Sequence, residues 1–399
     1  MRAAGMMGTE FTNIYGFSRQ DVTLGSWREA PYSRWAFHNL RELVPTSHIS
    51  CGLPRIEAPN IGSDLLSQKI STGVEGVSTV AQHLAYSHTD AFVLMRRGEI
   101  IGEYYAPHSG IDKPHVIFSV SKSITAVVSG ILEGQGVVDP DMPVAEYLPE
   151  AVGSAYGDCS YRDVLDMRVS LDFSEVYLDK NGAFARYRRA MLWNPPEPGT
   201  SAEDLRCLLM SLKKADRPHG GPFFYASPNS DLLGIILERV TGKRYAQLVS
   251  ELLWQPVGAC NDAYVTVDAV GTARAAGGVC VTARDLARLG ELVRTGGARC
   301  GLQVLPKAWI DDMLANGDGN AWRAGGENVF PEGRYRSQWY QTGEASGAFC
   351  AIGIHGQWIH VDPSREITIT KLSSQPNPVD DELKFANLAF FRAVCEALA

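Results

Sequence analysis

The stretch of sequence that decides the fold is Ser119-Val120-Ser121-Lys122, together with the apolar segment that follows it. From Ser121 to Glu133, apolar side chains fall on nearly every face of a predicted helix, and a helix of that kind is buried. Gly134 and Gly136 mark the end of this helix. We therefore predict a strand end at residues 116–118 that leads directly into a buried helix with Ser119 at its head.

Ser119 and Lys122 have the spacing that places two side chains on one face of a helix, one turn apart. A serine hydroxyl needs a neighbouring base to act as a nucleophile, and burial lowers the pKa of a lysine so that it can be this base. The N-terminus of a helix also offers backbone N–H groups and a dipole that stabilise developing negative charge. The pair therefore predicts a nucleophilic serine. The alternative is an N-cap serine whose side chain only caps the start of the helix.

The same Ser-x-x-Lys spacing recurs at Ser211-Leu212-Lys213-Lys214, so the spacing alone does not select Ser119. Ser211 lies at the polar end of a predicted helix, where both lysines are most simply solvated. The head of a buried helix is the better setting for a nucleophile, and this favours Ser119.

Tyr225, in Tyr225-Ala226-Ser227, is a second candidate for chemistry. It follows an apolar stretch and precedes a predicted helix at residues 229–240. A tyrosine on such a loop can carry a proton from the serine to a leaving group. The alternative is a core tyrosine whose hydroxyl is satisfied by a neighbour.

The third element is Gly353-Ile354-His355-Gly356. Glycines beside a short apolar strand suit a backbone that approaches a ligand closely, and the N–H of Ile354 is a candidate oxyanion donor. His355 is a candidate base, but no acidic partner can be identified in the sequence. A structural histidine with satisfied nitrogens is therefore the favoured interpretation.

Hydrophobic patterns at both ends of the chain predict strands, and the middle of the chain carries helical patterns broken by Pro- and Gly-rich loops. We expect an α+β fold in which an antiparallel sheet is flanked by helices, with a separate helical domain. The sheet domain comprises residues 1–139 and 233–399, with an extended arm at 1–75, and the mainly helical domain comprises residues 140–232. The predicted strands are residues 91–95, 100–105, 347–354, 358–361 and 367–372, and the chain closes with a helix at 380–398.

Composition excludes several classes of function. The net charge is −8, and the sequence lacks the basic stripe that binding of nucleic acid requires. Residues 1–20 lack the apolar core of a signal peptide, and no apolar run is long enough for a membrane span. The eight cysteines are scattered without a Cys-x-x-Cys pair, which indicates reduced and mostly buried thiols. We expect a cytoplasmic protein without a metal or organic cofactor, and a homodimer is compatible with the sequence.

Taken together and in this order, the three elements resemble the motifs of the serine β-lactamase/penicillin-recognising superfamily. Within it, the sequence is most similar to the 6-aminohexanoate-dimer (nylon-oligomer) hydrolases and related esterases. The similar segments extend over nearly the whole chain: Arg34–Phe37, Met95–Gly98, Ser119–Ser123, Glu238–Gly242, Gly353–Gln357 and Lys371–Ser374. The resemblance implies a β-lactamase/transpeptidase-like fold.

The resemblance also implies roles for individual residues. Ser119 would be the acylated nucleophile, Lys122 its general base and Tyr225 the proton shuttle to the leaving atom. The backbone N–H groups of Ser119 and Ile354 would form the oxyanion hole. The residues expected to contact the substrate are Tyr177, Arg188, Ser227, Ala276, Tyr340, Gly353 and His355.

Departures from the family pattern bear on the substrate. β-Lactamases carry Lys-Thr-Gly where this chain reads Ala351-Ile352-Gly353, so the lysine that attracts the substrate carboxylate is absent and β-lactam hydrolysis is disfavoured. Arg188 stands where an acidic residue would meet the ammonium group of a linear amino-acid dimer. If it faces the pocket, it repels such a substrate; the alternative is a solvated arginine cluster at Arg186-Tyr187-Arg188-Arg189.

The sequence thus predicts a serine hydrolase that cleaves a small amide, in the manner of the 6-aminohexanoate-dimer hydrolases, or an ester, through an acyl-enzyme on Ser119. One alternative is a carboxylesterase with little amidase activity. Another is a catalytically silent protein that uses the same fold to bind a ligand.

Overall fold

A computed structural model describes residues 10–53, 64–199, 203–326 and 329–398 of the chain. Its strands are β1 (Thr46–Ile49), β2 (Thr89–Arg96), β3 (Glu99–Tyr105), β4 (His115–Val116), β5 (Ala263–Thr266), β6 (Val279–Val281), β7 (Ala298–Arg299), β8 (Leu302–Gln303), β9 (Arg334–Arg336), β10 (Trp339–Gln341), β11 (Phe349–Gly353), β12 (Gln357–Asp362) and β13 (Ile367–Ser373).

The α-helices are α1 (Ser33–Ala36), α2 (Val80–Tyr86), α3 (Val120–Gly134), α4 (Val144–Tyr147), α5 (Tyr161–Leu165), α6 (Ala183–Ala190), α7 (Leu205–Ser211), α8 (Ser227–Thr241), α9 (Tyr245–Leu248), α10 (Ala283–Arg294), α11 (Lys307–Ala315), α12 (Gly319–Ala324) and α13 (Asp381–Ala397). Residues 10–15 are also helical. Short 3₁₀ turns occupy Arg19–Asp21, Leu40–Glu42, Asp64–Ser67, Pro149–Ala151 and Pro363–Arg365, and a π-helical turn spans Val249–Trp254.

The main sheet has seven strands in the order β3-β2-β13-β12-β11-β10-β9, and every neighbouring pair is antiparallel. Two strands come from the first part of the chain and five from its end, which confirms the predicted sheet built from both ends. A smaller sheet has the order β1-β5-β6-β4.

Both faces of the main sheet are buried. Along β2 the side chains alternate, with Phe92 and Leu94 in one apolar cluster and Val93 and Met95 in the other. One face is covered by α13, whose Phe391 packs edge-on against Trp358 of β12. The other face is covered by α10. These contacts confirm the predicted sheet flanked by helices.

Gly290 sets how closely α10 approaches the sheet. A Cβ atom at this position would lie 2.6 Å from Thr368 Cγ2 and 2.9 Å from Ile359 Cγ2. Only glycine leaves room for strands β12 and β13 at this distance, so the residue is required by packing.

Helix α3 is the buried helix that the sequence predicts, since all residues from Val120 to Leu132 are buried. The strand before it is shorter than expected: β4 ends at Val116, because Phe118 takes a positive φ of 43° and leaves the extended conformation. A non-glycine residue in this region carries strain. Ser119 follows directly, at the N-cap of the helix.

The region between α3 and β5 is mostly helical, but the predicted boundary between residues 232 and 233 falls inside the continuous helix α8 (Ser227–Thr241). This helix is buried from Ser227 to Leu237 and packs against α3. The two ends of α8 therefore belong to one packed unit, and the boundary as predicted divides a helix.

The predicted N-terminal arm lies partly outside the described residues, at 1–9 and 54–63. Its described part contributes Trp27 and Trp35 to the core, and Trp27 donates its indole N–H to the carbonyl of Trp193 at 3.1 Å. The arm also supplies β1, which pairs with β5, so this segment is more than an extended wrap. Among the described residues, no helix is long and apolar enough to cross a membrane.

Candidate active site

The hydroxyl of Ser119 makes no capping bond to the helix that it begins. Its oxygen instead accepts a hydrogen bond from Lys122 Nζ at 2.9 Å. Ser119 is partly exposed, whereas the helix behind it is buried. The N-cap alternative for the side chain is therefore not realised, and the hydroxyl is left facing a cavity.

Lys122 is buried, with 1% of its surface exposed. Besides Ser119, its Nζ donates to Ser227 Oγ at 3.0 Å and to the carbonyl of Ala276 at 2.8 Å. Burial lowers the pKa of Lys122 to about 7, and Arg274 acts in the same direction, although the charges of Glu175 and Asp231 partly oppose the shift. A lysine with this pKa is available as a base near neutral pH.

The second Ser-x-x-Lys match is a surface feature. Ser211 Oγ donates to the carbonyl of Leu208 at 2.7 Å, as a serine at a helix end commonly does. Lys214 is exposed and pairs with Asp158 at 2.5 Å. No contact joins this serine to either lysine among the hydrogen bonds that the described residues show, so the two matches differ as expected.

Tyr225 lies on the loop before α8 and shares the wall of one cavity with Ser119. The Nζ of Lys122 lies 5.0 Å from the centre of its ring. The tyrosine therefore stands beside both members of the Ser119–Lys122 pair.

Glu175 is the residue at this site that the sequence did not single out. Its Oε2 accepts the backbone N–H of Ser227 at 2.7 Å, and its Oε1 accepts the Ser227 hydroxyl at 2.7 Å and the Tyr177 hydroxyl at 2.8 Å. Glu175 belongs to an irregular segment without a motif, so only its position two residues before Tyr177 gave a signal.

An outer cavity of about 390 Å³ opens beside Ser119 and Tyr225, within the size range of small-molecule sites. Much of its wall is apolar or aromatic, and the rest includes polar and charged groups. The apolar and aromatic residues of the wall include Phe173, Phe224, Val329, Tyr340, Ile352, Ile354 and Trp358, and the polar ones include Gln375, Asp380, Lys384 and Asn387.

A second, inner cavity of about 20 Å³ adjoins the same residues. This volume holds about one water molecule. Ser119, Glu175, Tyr177 and Ile354 line both cavities, so the candidate nucleophile lies between them. The inner cavity is also lined by Arg188 and by Ala276.

Arg188 is only 8% exposed, so the prediction that it belongs to a solvated cluster is wrong for this residue. Its Nη1 donates to the carbonyl of Tyr177 at 2.7 Å, and its guanidinium lies 4.5 Å from the centre of the Phe184 ring. Burial lowers the pKa of Arg188 to about 10, well above neutrality, so the group is cationic. Its neighbour Arg186 is the exposed one and pairs with Glu203 at 2.6 Å.

His355 does not line either cavity, which contradicts its prediction as a substrate contact. It takes a positive φ of 60° in the turn after β11 and is buried, with Nδ1 2.7 Å from the carbonyl of Gln375. Its ring lies 5.3 Å from that of Phe118. The structural interpretation of this histidine therefore agrees with its surroundings.

Gly353 lines the outer cavity. The sequence suggested that its small size lets the backbone approach a ligand, but here it makes room for another part of the backbone. A Cβ atom here would lie 2.7 Å from the carbonyl oxygen of Ile117, two residues before Ser119. Glycine thus lets β11 approach the segment that carries the serine, and this brings Ile354 to the cavity. Tyr340 lines the outer cavity, and Ala276 contributes its carbonyl to Lys122.

This fold, with a serine and a buried lysine at the head of a helix beside an antiparallel sheet, defines the class of serine hydrolases with a β-lactamase-like fold. A family model described as Beta-lactamase matches residues 77–392. The chain therefore belongs to the beta-lactamase family, and it is a serine hydrolase.

Relatives agree with this assignment. The chain is 40% identical over 365 residues to a 6-aminohexanoate-dimer hydrolase of Paenarthrobacter ureafaciens, with 91% of each chain covered. A Bacillus anthracis protein assigned as a 6-aminohexanoate-dimer hydrolase superimposes with a TM-score of 0.85 at 23% identity, over 95% of this chain and 98% of that one. A family VIII carboxylesterase has a TM-score of 0.59 at 17% identity, over 78% and 95% of the two chains. The last two likenesses concern the fold alone.

Proposed function

We propose that Ser119 attacks the carbonyl carbon of a small amide or ester and that Lys122 accepts the proton of its hydroxyl. The observation that carries this proposal is the 2.9 Å contact between Lys122 Nζ and Ser119 Oγ, made by a buried lysine whose pKa is lowered to about 7. Neutral lysine keeps a lone pair for the serine proton while its N–H groups donate to Ser227 and Ala276.

Tyr225 then donates its hydroxyl proton to the leaving nitrogen or oxygen and regains a proton from Lys122, so the serine proton ends on the leaving group and Ser119 is acylated. In a second step water hydrolyses the acyl ester, releases the acid and restores the serine hydroxyl. The tetrahedral oxyanion of each step is stabilised by the backbone N–H groups of Ser119 and Ile354. The start of α3 adds the positive end of a helix dipole at the same point.

Glu175 acts as a positioning residue in this scheme. Its two oxygens hold the backbone and the hydroxyl of Ser227, and the Ser227 hydroxyl in turn accepts from Lys122. The carboxylate also raises the pKa of Lys122 against the effect of burial. Removing the charge would therefore alter both the place and the basicity of the lysine.

The proposed substrate is a small amide or ester whose apolar part occupies the outer cavity. An amide is supported by the relative that is 40% identical and is named a 6-aminohexanoate-dimer hydrolase. One feature argues against the zwitterionic nylon dimer as a good substrate for this chain: Arg188 lines the inner cavity as a cation and repels an ammonium group. Ala351, which stands where β-lactamases carry a charged lysine, argues against β-lactams.

A fluorophosphonate probe tests the nucleophile directly. Mass spectrometry of the labelled, folded protein should find the adduct on Ser119, and Ser119→Ala should lose both the adduct and hydrolysis. Ser211→Ala is the matched control, because Ser211 has the same spacing to a lysine and should leave both unchanged. Full hydrolysis by Ser119→Ala would sink the proposal.

Matched ester and amide substrates with the same acyl group separate an amidase from a carboxylesterase with little amidase activity. An amidase should turn over both, whereas the carboxylesterase should release product from the ester alone. The measurement is the ratio of kcat/KM for the two substrates.

We also propose a cytoplasmic location and, as the assembly to test first, a homodimer. The location is supported by the eight cysteines, all of which are free and five of which are buried, as is common for proteins of reducing compartments. Fractionation of cells tests the location, and light scattering on the purified chain tests the assembly.

A further inference from the structure

Three histidines and one aspartate form a cluster that the proposed reaction does not use. His38 follows α1, Asp90 lies in β2, His108 follows β3 and His115 begins β4. We call these four residues the histidine cluster. Asp90 and His115 are buried, and the His108 side chain is 15% exposed. None of the four lines either cavity at Ser119.

Asp90 is at the centre of the histidine cluster. Its Oδ1 lies 2.8 Å from His108 Nε2 and accepts the hydroxyl of Ser374 at 3.0 Å, and its Oδ2 lies 3.1 Å from His115 Nε2. Two imidazole nitrogens and one hydroxyl thus surround a carboxyl group that is only 1% exposed.

His38 supplies the observation that points to a ligand. Its Nδ1 lies 3.1 Å from the carbonyl of Pro114, and since a carbonyl only accepts, this nitrogen carries the proton. In the neutral ring with the proton on Nδ1, Nε2 bears a lone pair. Nε2 is buried without a hydrogen-bond partner, in a residue that is 8% exposed.

A buried lone pair without a partner is unfavourable, and a cation would satisfy it. One ligand atom from each of His38, Asp90 and His108 lies within 4.8 Å of the others. Tetrahedral zinc, with bonds of about 2.0–2.2 Å to nitrogen and oxygen, holds its ligand atoms about 3.4 Å apart, inside the 4.8 Å limit that these three atoms meet. His38 donates its Nδ1 hydrogen to a backbone carbonyl. A metal-binding histidine commonly makes such a hydrogen bond with the ring nitrogen that does not bind the metal, and the bond sets the orientation of the ring.

We propose that the histidine cluster binds one divalent transition-metal ion, with zinc as the best match, through His38, Asp90 and His108. His115 would orient the carboxylate by its contact with the second oxygen of Asp90. Two imidazole nitrogens and one carboxylate oxygen favour zinc over magnesium or calcium, which prefer oxygen ligands alone.

The ion would join parts of the chain that are distant in sequence. His38 belongs to the N-terminal arm, whereas Asp90 and His108 belong to the first hairpin of the main sheet and the loop after it. Phe37, next to His38, packs edge-on against Phe118 with 5.0 Å between ring centres, and Phe118 precedes the candidate nucleophile. The role is therefore structural, and metal content and stability should report it without reference to activity.

The test is zinc loading of the full chain after removal of metals with a chelator. The protein, freed of unbound zinc by gel filtration, should contain about one zinc per chain by mass spectrometry, and its Tm should rise by several degrees on loading. Cobalt in place of zinc should give a visible d–d absorption band of a site with nitrogen ligands. Zinc content far below one per chain, or an unchanged Tm, would overturn the proposal.

Variants locate the site. His108→Ala is the first choice because this side chain is partly exposed, and His38→Gln keeps the size of the ring approximately. Both should lose the zinc and the cobalt band while circular dichroism shows the native fold. His48→Ala is the matched control, since His48 is exposed and pairs with Asp262 at 3.5 Å. Equal zinc content in His108→Ala and His48→Ala would place the metal elsewhere and refute the proposal.

Discussion

Glu175 holds Ser227 with both carboxylate oxygens, one on the backbone N–H and one on the hydroxyl, each at 2.7 Å. Ser227 in turn accepts a hydrogen bond from Lys122, the buried partner of Ser119. An acidic side chain from an irregular segment thus fixes the surroundings of the lysine from outside the helix that carries it. Mutation of Glu175 can show how much of its effect on Lys122 comes from its negative charge.

Glu175→Gln should lower kcat/KM by about tenfold to a hundredfold, because it removes one acceptor and leaves the Ser227 contacts less firmly held. In the wild type the negative charge of Glu175 raises the pKa of Lys122. In the variant the acidic limb of the pH profile should therefore move to lower pH, by about one unit. The pH dependence of kcat/KM measures both effects. Asp172→Asn, in the same segment but exposed, is the control and should leave the profile in place. A limb that stays where it is in Glu175→Gln would contradict the electrostatic role.

The wild-type enzyme should lose activity below neutral pH. Lys122 must be neutral to accept the serine proton, and its pKa is about 7, so protonation below this value removes the base. We expect kcat/KM to fall about tenfold for each pH unit on the acidic side. The profile should be recorded with a substrate that does not itself titrate in this range.

Lys122→Ala should abolish acylation of Ser119, whereas Lys214→Ala should leave it unchanged. The two lysines belong to the two Ser-x-x-Lys matches, but only Lys122 contacts its serine, and Lys214 is exposed beside Asp158. Burst kinetics with a chromogenic ester measure acylation. Equal loss in both variants would show that acylation does not depend specifically on Lys122.

Arg188→Gln should change substrate preference more than overall activity. The guanidinium lines the inner cavity as a cation, so it favours substrates with an anionic leaving group and opposes those with an ammonium group. Removing it should lower the ratio of kcat/KM for carboxylated over neutral leaving groups by about tenfold, the effect of one charge in a shielded site. Arg186→Gln is the control, because Arg186 is exposed and pairs with Glu203. An unchanged ratio in Arg188→Gln would mean that the charge of Arg188 does not act on the leaving group.

Gly353→Ala should destabilise the fold by about 1–3 kcal/mol, the usual cost of an extra methyl group in a packed site. The added carbon would lie 2.7 Å from the carbonyl of Ile117 and push β11 away from the serine segment. Unfolding in urea measures the free energy, and hydrolysis should fall with it. Gly25→Ala is the control, since its new carbon meets Thr23 Oγ1 at an ordinary 3.6 Å. Equal stability of the two variants would exclude the proposed close approach.

Local patterns were sufficient for much of the architecture. The apolar run after Ser119 requires burial on every side, and Val120 to Leu132 are indeed buried. The sequence also carries capping signals at Ser160 and Thr282, and in the structure the side chain of each accepts a backbone N–H at the start of α5 and α10. Hairpin and strand signals likewise predicted β2, β3 and β11 to β13 within a few residues.

Where a contact joins distant segments, the sequence was less informative. Glu175 has no motif around it, and its importance depends on the fold bringing it to Ser227, 52 residues later. The sequence did not decide whether Arg188 faces the pocket or belongs to a solvated cluster, because helical spacing gives the face on which a side chain lies but not what covers that face. His355 was predicted to touch substrate, but it is buried in a turn with a positive φ, and its ring lies against Phe118.

The sequence by itself determined the order of the elements, the buried helix α3 and the Ser119–Lys122 spacing, because these depend on interactions within a few turns of chain. Only the tertiary structure decided which of the two Ser-x-x-Lys matches has its lysine buried against its serine. It also decided that Tyr177 lines both cavities and that Glu175, Arg188 and Ala276 lie around the Ser119–Lys122 pair. The physical reason is that burial, and with it the lowered pKa of Lys122, depends on side chains that come from distant parts of the chain.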